Sequence, residues 1–394
     1  MSSPSAAARR VGHRIAARRD DTLAEPAHDA RTAAILGIAL GVCFSVCFAT
    51  GLLSHALQHP PSWFDWPSRP AGLYRITQGL HVISGTAAIP LLLAKLWSVY
   101  PRLFLPLRAN TADVLERVSL VPLVGGSIFM LFTGTANIAR WYPWRFFFPR
   151  GHYWVAWVTI GALIVHIGAR QASARAALAR GGASAIRSPA PAADRAPAIG
   201  RRALLAWAGA ASAGLTLTTA GQTVGFLRAA VMFAPRRPDI GTQGLPVNKA
   251  AGEAGVEQSA RDPNWRLVIE ADGEERLALD LVQLEALPRR RAELPIACVE
   301  GWSRSASWGG VPMRDLLDRV QVASYDEVDV ISLEDGLYGR STLTARQVRD
   351  RDTMLALELN GERLNLDHGY PVRLITPNRP GVLQTKWVTR LVVR

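Results

Sequence analysis

Hydrophobic positions along this chain change their period once, and the change divides it in two. Up to about residue 230 they gather in long, almost uncharged runs at 33–53, 76–94, 118–138, 153–169 and 203–227. Each run is about 17 residues or longer, enough to cross roughly 30 Å of hydrocarbon as a helix. The first is expected to stay in the protein, because it is too long for the apolar core of a cleaved signal peptide and follows a tail of about thirty residues. From about Pro263 the apolar residues alternate instead, in WRLVIEA, RLALDL, EVDVISL, MLALEL, VRLITP and WVTRLVV. Alternation predicts strands with one buried face, and the pairs Asp272-Gly273 and Asn360-Gly361 predict turns. LVQLEAL at 281–287 and MRDLLDRV at 313–320 carry helical spacing and predict two short helices. The expected architecture is a membrane all-α bundle of four helices plus a fifth, anchoring helix, followed by an α+β domain with an irregular lead-in from 228 to 262.

Composition agrees with two unlike halves: mean hydropathy is slightly positive although 20% of the 394 residues are charged. The formal charge of +13 resides in arginine clusters beside apolar runs, which read as topology signals and contacts with anionic lipid rather than as a nucleic-acid surface. Arg9, Arg10, Arg14, Arg18 and Arg19 precede the first run; Lys95, Arg102, Arg108 and Arg117 follow the second; Arg170, Arg175, Arg180, Arg187, Arg195, Arg201 and Arg202 follow the fourth. With five spans all three groups fall on one side, so the N-terminus is expected inside and the C-terminal domain outside the membrane. Arg140, Arg145 and Arg150 lie on the other side and weaken the contrast. The expected division is a cytoplasmic tail (1–32), a four-helix domain (33–170), a basic Ala- and Pro-rich linker (171–202), a fifth helix (203–227) and an extracytoplasmic domain (228–394). The junction GRRALLAWAGAASAGLTLTTAG reads either as an internal, uncleaved twin-arginine export signal or as an ordinary positive-inside anchor.

Histidine is costly in hydrocarbon unless paired or ligated, so those within the runs are candidate functional groups. His81 lies in the second run, His152 at the start of the fourth and His166 within it; His55 and His59 lie at the end of the first. Fourteen positions separate His152 from His166, about 21 Å along one helix and nearly on one face, so one helix could serve two stacked haems. This arrangement resembles the b-type cytochrome membrane subunits of respiratory enzymes over roughly 33–170. The resemblance implies haem b, one or two, with His81, His152, His166 and His55 or His59 as axial candidates. The alternative is that these histidines bond between helices, beside the small residues Gly79, Ser84, Gly85 and Gly161.

The chain has three cysteines. Cys43 and Cys47 share a helix face and read as packing residues. Cys298 stands alone in PIACVEGWSRSASWGG, after a strand-like LPIA and before a Gly- and Trp-bearing loop, so its thiol is expected at a strand end rather than packed. From the residues alone it is a nucleophile, a redox centre, a soft metal ligand or a buried bystander.

CVEGWSRSASWGGVPMRDLL, LELNGERLNLDHGYPVRLITP and TKWVTRLVV resemble, in order and spacing, the cofactor domain of the sulfite oxidase family of molybdenum enzymes. The resemblance covers about 263–394 and implies a molybdopterin cofactor with Cys298 as the protein ligand of molybdenum. It implies that His368 and Arg373 hold the pyranopterin and its phosphate, and that Gln384, Thr385 and Lys386 line the same pocket. Asn248 corresponds to an upstream segment touching the pterin, and Ser332 or Asp335 to a further polar contact. With nothing after Arg394 to match the immunoglobulin-like domain of sulfite oxidases, the chain is similar to the bacterial branch that includes the periplasmic methionine sulfoxide reductase catalytic subunit. That branch commonly works with a haem-bearing membrane partner; here one polypeptide in a bacterial cytoplasmic membrane is expected to hold both parts, so no obligate protein partner is expected. The expected function is electron transfer from the quinone pool through haem to an outward-facing molybdenum site that reduces a small S-oxide or N-oxide. Sulfite oxidation is the enzymatic alternative, and a non-catalytic membrane haem protein whose outer domain binds pterin or a partner is the alternative outside enzymes.

Overall fold

The computed structural model describes residues 26–103, 111–179, 199–234, 236–322 and 324–394, and the arginines expected in the N-terminal tail and most of the 171–202 linker lie outside them. Five helices occupy the apolar runs: α1 (Ala30–Gln58), α2 (Leu73–Leu103), α3 (Thr111–Ala139), α4 (Phe148–Ala179) and α5 (Arg201–Ala220). Each is long and apolar enough to cross a membrane. The chain forms two compact units, Met1–Ala49 with Ile83–Thr218, and Thr50–Val82 with Thr219–Arg394.

In the first unit, α3 lies directly against α4. A Cβ on Gly126 would fall 2.2 Å from Thr159 Oγ1, so glycine there sets how closely the two helices approach. Leu40, Ala88 and Leu92 form a buried cluster with Cys43 against it, and Cys47 Sγ lies 3.1 Å from Ser84 Oγ. Both cysteines sit as packing residues.

The expected fifth span overruns the observed one. The helix ends at Ala220 rather than at 227, followed by a two-turn 3₁₀ segment, Gly225–Ala230. The chain folds back at Gly221, where a Cβ would meet Leu227 O at 2.5 Å, an approach that no side chain permits.

The second unit contains two five-stranded sheets. The first runs β2 (Glu274–Asp280), β1 (Arg266–Ala271), β10 (Val388–Val393), β5 (Glu327–Ser332), β6 (Arg340–Thr344), with β1 and β10 parallel. The second runs β3 (Arg290–Ala297), β4 (Ser303–Pro312), β7 (Met354–Leu359), β8 (Glu362–Arg363), with β9 (Arg373–Ile375) also on β7. Short helices α6 (Ala251–Ala254), α7 (Leu281–Glu285), α8 (Met313–Arg319) and α9 (Ala345–Arg349) complete it. The main core gathers alternate residues of the first sheet, Leu267, Ile269, Val328, Val330 and Leu391, with Leu316 of α8 and Leu374 of β9.

All six alternating runs form strands, and the two helical spacings form α7 and α8. Asp272 (φ 56°) with Gly273 (φ 78°), and Asn360 (φ 52°) with Gly361 (φ 87°), turn their hairpins with two left-handed residues each. Strand β4 escaped the pattern because it is buried on both faces over Trp308–Pro312 and so does not alternate. It presses so closely on β7 that a Cβ on Gly310 would lie 2.1 Å from Leu355 O.

The boundary of this unit also differs from the one expected from composition. Residues 50–82, expected as membrane helix and connecting loop, pack with 219–394. Trp66 Nε1 donates to Asn378 O at 3.1 Å, and Asn378 Nδ2 donates to Pro67 O at 2.6 Å. Tyr74 N donates to Asn378 Oδ1 at 2.6 Å, while Arg69 forks onto Asp350 at 2.7 Å and onto Asp352.

Candidate functional site

Strand β3 ends at Ala297, and Cys298 is the next residue. Its N–H donates to Trp302 O at 2.9 Å, and Gly301, at φ 89°, turns the chain back into β4. The thiol is not presented to solvent as expected: Cys298 is 1% exposed. It is roofed by the segment after β9, where a Cβ on Gly381 would lie 3.2 Å from Ala297 O and 3.6 Å from Cys298 Cα. Sγ accepts from Asn248 Nδ2 at 2.7 Å and from the Glu300 N–H at 3.3 Å. Burial, helped by the Glu300 charge, pushes the thiol up to about 12.

Three basic side chains converge nearby. Gly369, at φ 113°, lies so close that a Cβ would sit 3.1 Å from Lys386 Cβ and 3.2 Å from Arg373 Cβ. Arg373 is buried 5.4 Å over the Trp308 ring, donates from Nη1 to His368 O at 3.2 Å, and leaves Nε without a partner among the described residues. Lys386 Nζ donates to two backbone carbonyls, Lys249 O at 2.8 Å and Asp367 O at 2.7 Å. His368 Nε2 lies 2.6 Å from Thr242 O, which makes it the protonated nitrogen of the neutral ring. Burial lowers all three: Arg373 to about 10, Lys386 to about 7 with Arg373 adding repulsion, and His368 to about 4 with Arg373 next in effect. Among the described residues neither Arg373 nor Lys386 forms an ion pair with a carboxylate, although the charges of Asp367 and Glu334 reach Lys386 and partly offset its lowering.

The other sequence-predicted residues play a different part. Gln384 uses both amide atoms on the Thr376 backbone, at 2.7 and 2.8 Å. Thr385 Oγ1 pairs with Ser341 Oγ at 2.6 Å, and Ser332 Oγ donates to Lys386 O at 2.7 Å while accepting from Glu334 N. These three brace β9, which carries Arg373, and the segment before β10 that carries Lys386, and Asp335 is exposed. Two residues were missed. Arg379 is buried, donates from Nη2 to Thr342 O at 2.7 Å and leaves Nη1 without a partner among the described residues. Trp308 supplies the aromatic face under Arg373. The Pro and Gly around Arg379 in PNRPG, beside HGYPVR, were the available signal.

In the helices, His152 Nδ1 lies 2.9 Å from Thr133 Oγ1, and His81 Nδ1 lies 3.2 Å from Thr50 Oγ1. His55, on the last turn of α1, and His59, just beyond it, place their rings 4.9 Å apart, and His166 is half-buried on α4. No group of three or more His, Cys, Asp or Glu positioned for a metal ion occurs among the described residues.

Residues 253–394 match the model of the oxidoreductase molybdopterin binding domain family. Similar proteins include mitochondrial sulfite oxidase of Drosophila melanogaster, 31% identical over 33% of this chain and 27% of that protein. Sulfite oxidase of Arabidopsis thaliana is 31% identical over 24% and 28%, and the NADH nitrate reductase of Spinacia oleracea 35% over 22% and 10%. The chain thus spans less than a third of the length of these relatives. A solved structure, the sulfane dehydrogenase SoxCD of Paracoccus pantotrophus, aligns at a TM-score of 0.33 and 24% identity over 39% of this chain and 43% of that one. Residues 253–394 thus form an oxidoreductase molybdopterin-binding domain, similar in sequence to parts of sulfite oxidases and nitrate reductases.

Proposed function

We propose that the chain is a membrane-bound molybdopterin-dependent oxidoreductase that carries quinone-pool electrons through b-type haem to an extracytoplasmic site, where a small S-oxide or N-oxide is reduced. One observation carries the reading: in a domain of this family, a buried thiol stands beside buried Arg373 and partly buried Lys386, neither of which is ion-paired to a carboxylate among the described residues. When bound, a molybdenum–pterin group supplies two-electron oxygen-atom transfer and a haem supplies single-electron steps.

The residues fit such a group. Burial keeps the Cys298 thiol protonated, which disfavours a free thiolate nucleophile, and a bound metal cation would take the place of that proton. Asn248 Nδ2 orients the sulfur, and its Oδ1 has no partner among the described residues. Arg373 offers an unused Nε–H, and Lys386 a second positive charge, to an anionic phosphate. His368 stays neutral near pH 7, so it holds its contacts without adding to the charge. Gln384, Thr385 and Ser332 keep these groups in place through the backbone.

For the haem, the support is the hydrogen bond at Nδ1 of both His81 and His152, the arrangement that fixes the orientation of a metal-bound imidazole. His166 and His55 complete the candidate set. The Arg201-Arg202 pair opening α5 suits export of a domain folded around its cofactor in the cytoplasm. The similarity to proteins named sulfite oxidase favours a second reading, oxidation of sulfite at the same site. The deciding experiment is molybdenum quantification and a reduced-minus-oxidised spectrum on one sample, then a screen of S-oxides, N-oxides and sulfite. Active protein without molybdenum, or a Cys298→Ala protein with full molybdenum-dependent activity, ends the proposal.

A further inference from the structure

We infer that the turn leaving α5, together with the first turn of α2, forms a site for the phosphate of an anionic phospholipid. This rests on the membrane reading of the five helices. Three large apolar side chains stand in the solvent just after the last span: Phe226 is 87% exposed, Met232 73% and Phe233 66%. They begin within six residues of Ala220, where α5 ends, so the chain at this point has just left the hydrocarbon. Acyl chains cover such a surface at no cost in exposed apolar area, whereas water does not.

Two guanidinium groups meet inside the same turn. A Cβ on Gly225 would lie 3.7 Å from Arg75 Nη2 and 3.9 Å from Arg228 Nη2, so both fork ends face the one glycine. Arg75 donates to neutral oxygens, Ser305 Oγ and Thr223 O, each at 3.3 Å. Arg228 Nε is buried and has no partner among the described residues. Two like charges brought together without a carboxylate are stabilised by an anion between them, and guanidinium forks match phosphate oxygens. The lipid phosphodiester is the anion that occurs where apolar side chains enter the bilayer surface.

The test is native mass spectrometry of the full chain released from detergent, titrated with phosphatidylglycerol or phosphatidylcholine. Wild type is expected to retain phosphatidylglycerol at least tenfold more strongly, and Arg75→Gln with Arg228→Gln to lose that preference. Arg237→Gln, at an exposed arginine already paired with Asp239, is expected to keep it. Arg75→Lys, which keeps the charge without the fork, is expected to fall between and guards against misfolding of the double variant. Equal retention by wild type and the double variant overturns the site, and displacement of the lipid by millimolar inorganic phosphate overturns the lipid assignment. Wild type that leaves membranes on alkaline washing overturns the membrane reading itself; wild type that stays while the double variant binds normally overturns only this inference.

Discussion

At the scale of single residues, the pocket is a set of charges held against their solvation. Cys298→Ala removes the one thiol in reach of Asn248 and Glu300, so molybdenum content per chain is expected to fall to background, measured by elemental analysis. Unfolding should shift little, because alanine leaves the backbone turn to Trp302 intact. The buried bases also set a pH dependence for cofactor-free protein. His368 is lowered from 6.5 to about 4 and Lys386 from 10.5 to about 7. Within each interval the unfolded chain binds more protons than the folded one, so stability rises with pH. Cys298 acts in the opposite sense above 9.0, since its folded value is pushed up to about 12 and the unfolded thiol ionises first. Thermal unfolding of cofactor-free protein should therefore move to higher temperature from pH 4 to 6.5 and again from 7 to 9. His368→Gln should flatten the first rise. A wild-type profile flat over both intervals would refute the burial of these bases.

At the scale of elements, two contacts decide how the sheets and the 50–82 segment are held. Gly310→Ala would drive a methyl into the β7 backbone, and we expect a loss of more than about 2 kcal/mol in denaturant unfolding. Arg69 grips Asp350 and Asp352, whose side chains are nearly buried, although Arg69 itself is 42% exposed and Asp352 keeps Arg290 at 2.8 Å. Its neighbourhood holds both carboxylates below their usual range despite burial. Arg69→Ala should cost about 1 kcal/mol after allowance for screening and speed proteolysis between residues 59 and 72. Neither contact was visible in the sequence, because Gly310 reads as a turn residue and Arg69 as a loop charge until β7 and the 345–353 region are folded beside them.

At the scale of the whole molecule, the proposed function requires two kinds of centre in one chain. If haem sits on α4, His152→Ala should remove at least one b-type component from the difference spectrum. Molybdenum content should stay unchanged, since no residue of the Cys298 pocket belongs to that helix. A wild-type spectrum without a b-type band leaves only the oxidoreductase domain. The five apolar helices, six of the strands and two short helices could be read from the sequence, because period and turn chemistry are local properties. The order of the sheets, the second-face burial of β4 and the early end of α5 could not. Each depends on how closely distant backbones approach.

The sequence by itself therefore determined where the chain is apolar enough for a bilayer and where it alternates, and it singled out Cys298, His368, Arg373 and Lys386 as candidates through a family resemblance. Only the tertiary structure decided that the thiol is buried, that Gln384, Thr385 and Ser332 hydrogen-bond to Thr376, Ser341 and Lys386, that Arg379 is buried, and that residues 50–82 join the second unit. The reason is physical: a side chain's type sets which bonds it can make, but burial and neighbours hundreds of positions away, as Asn378 is from Trp66, set which of them it does make.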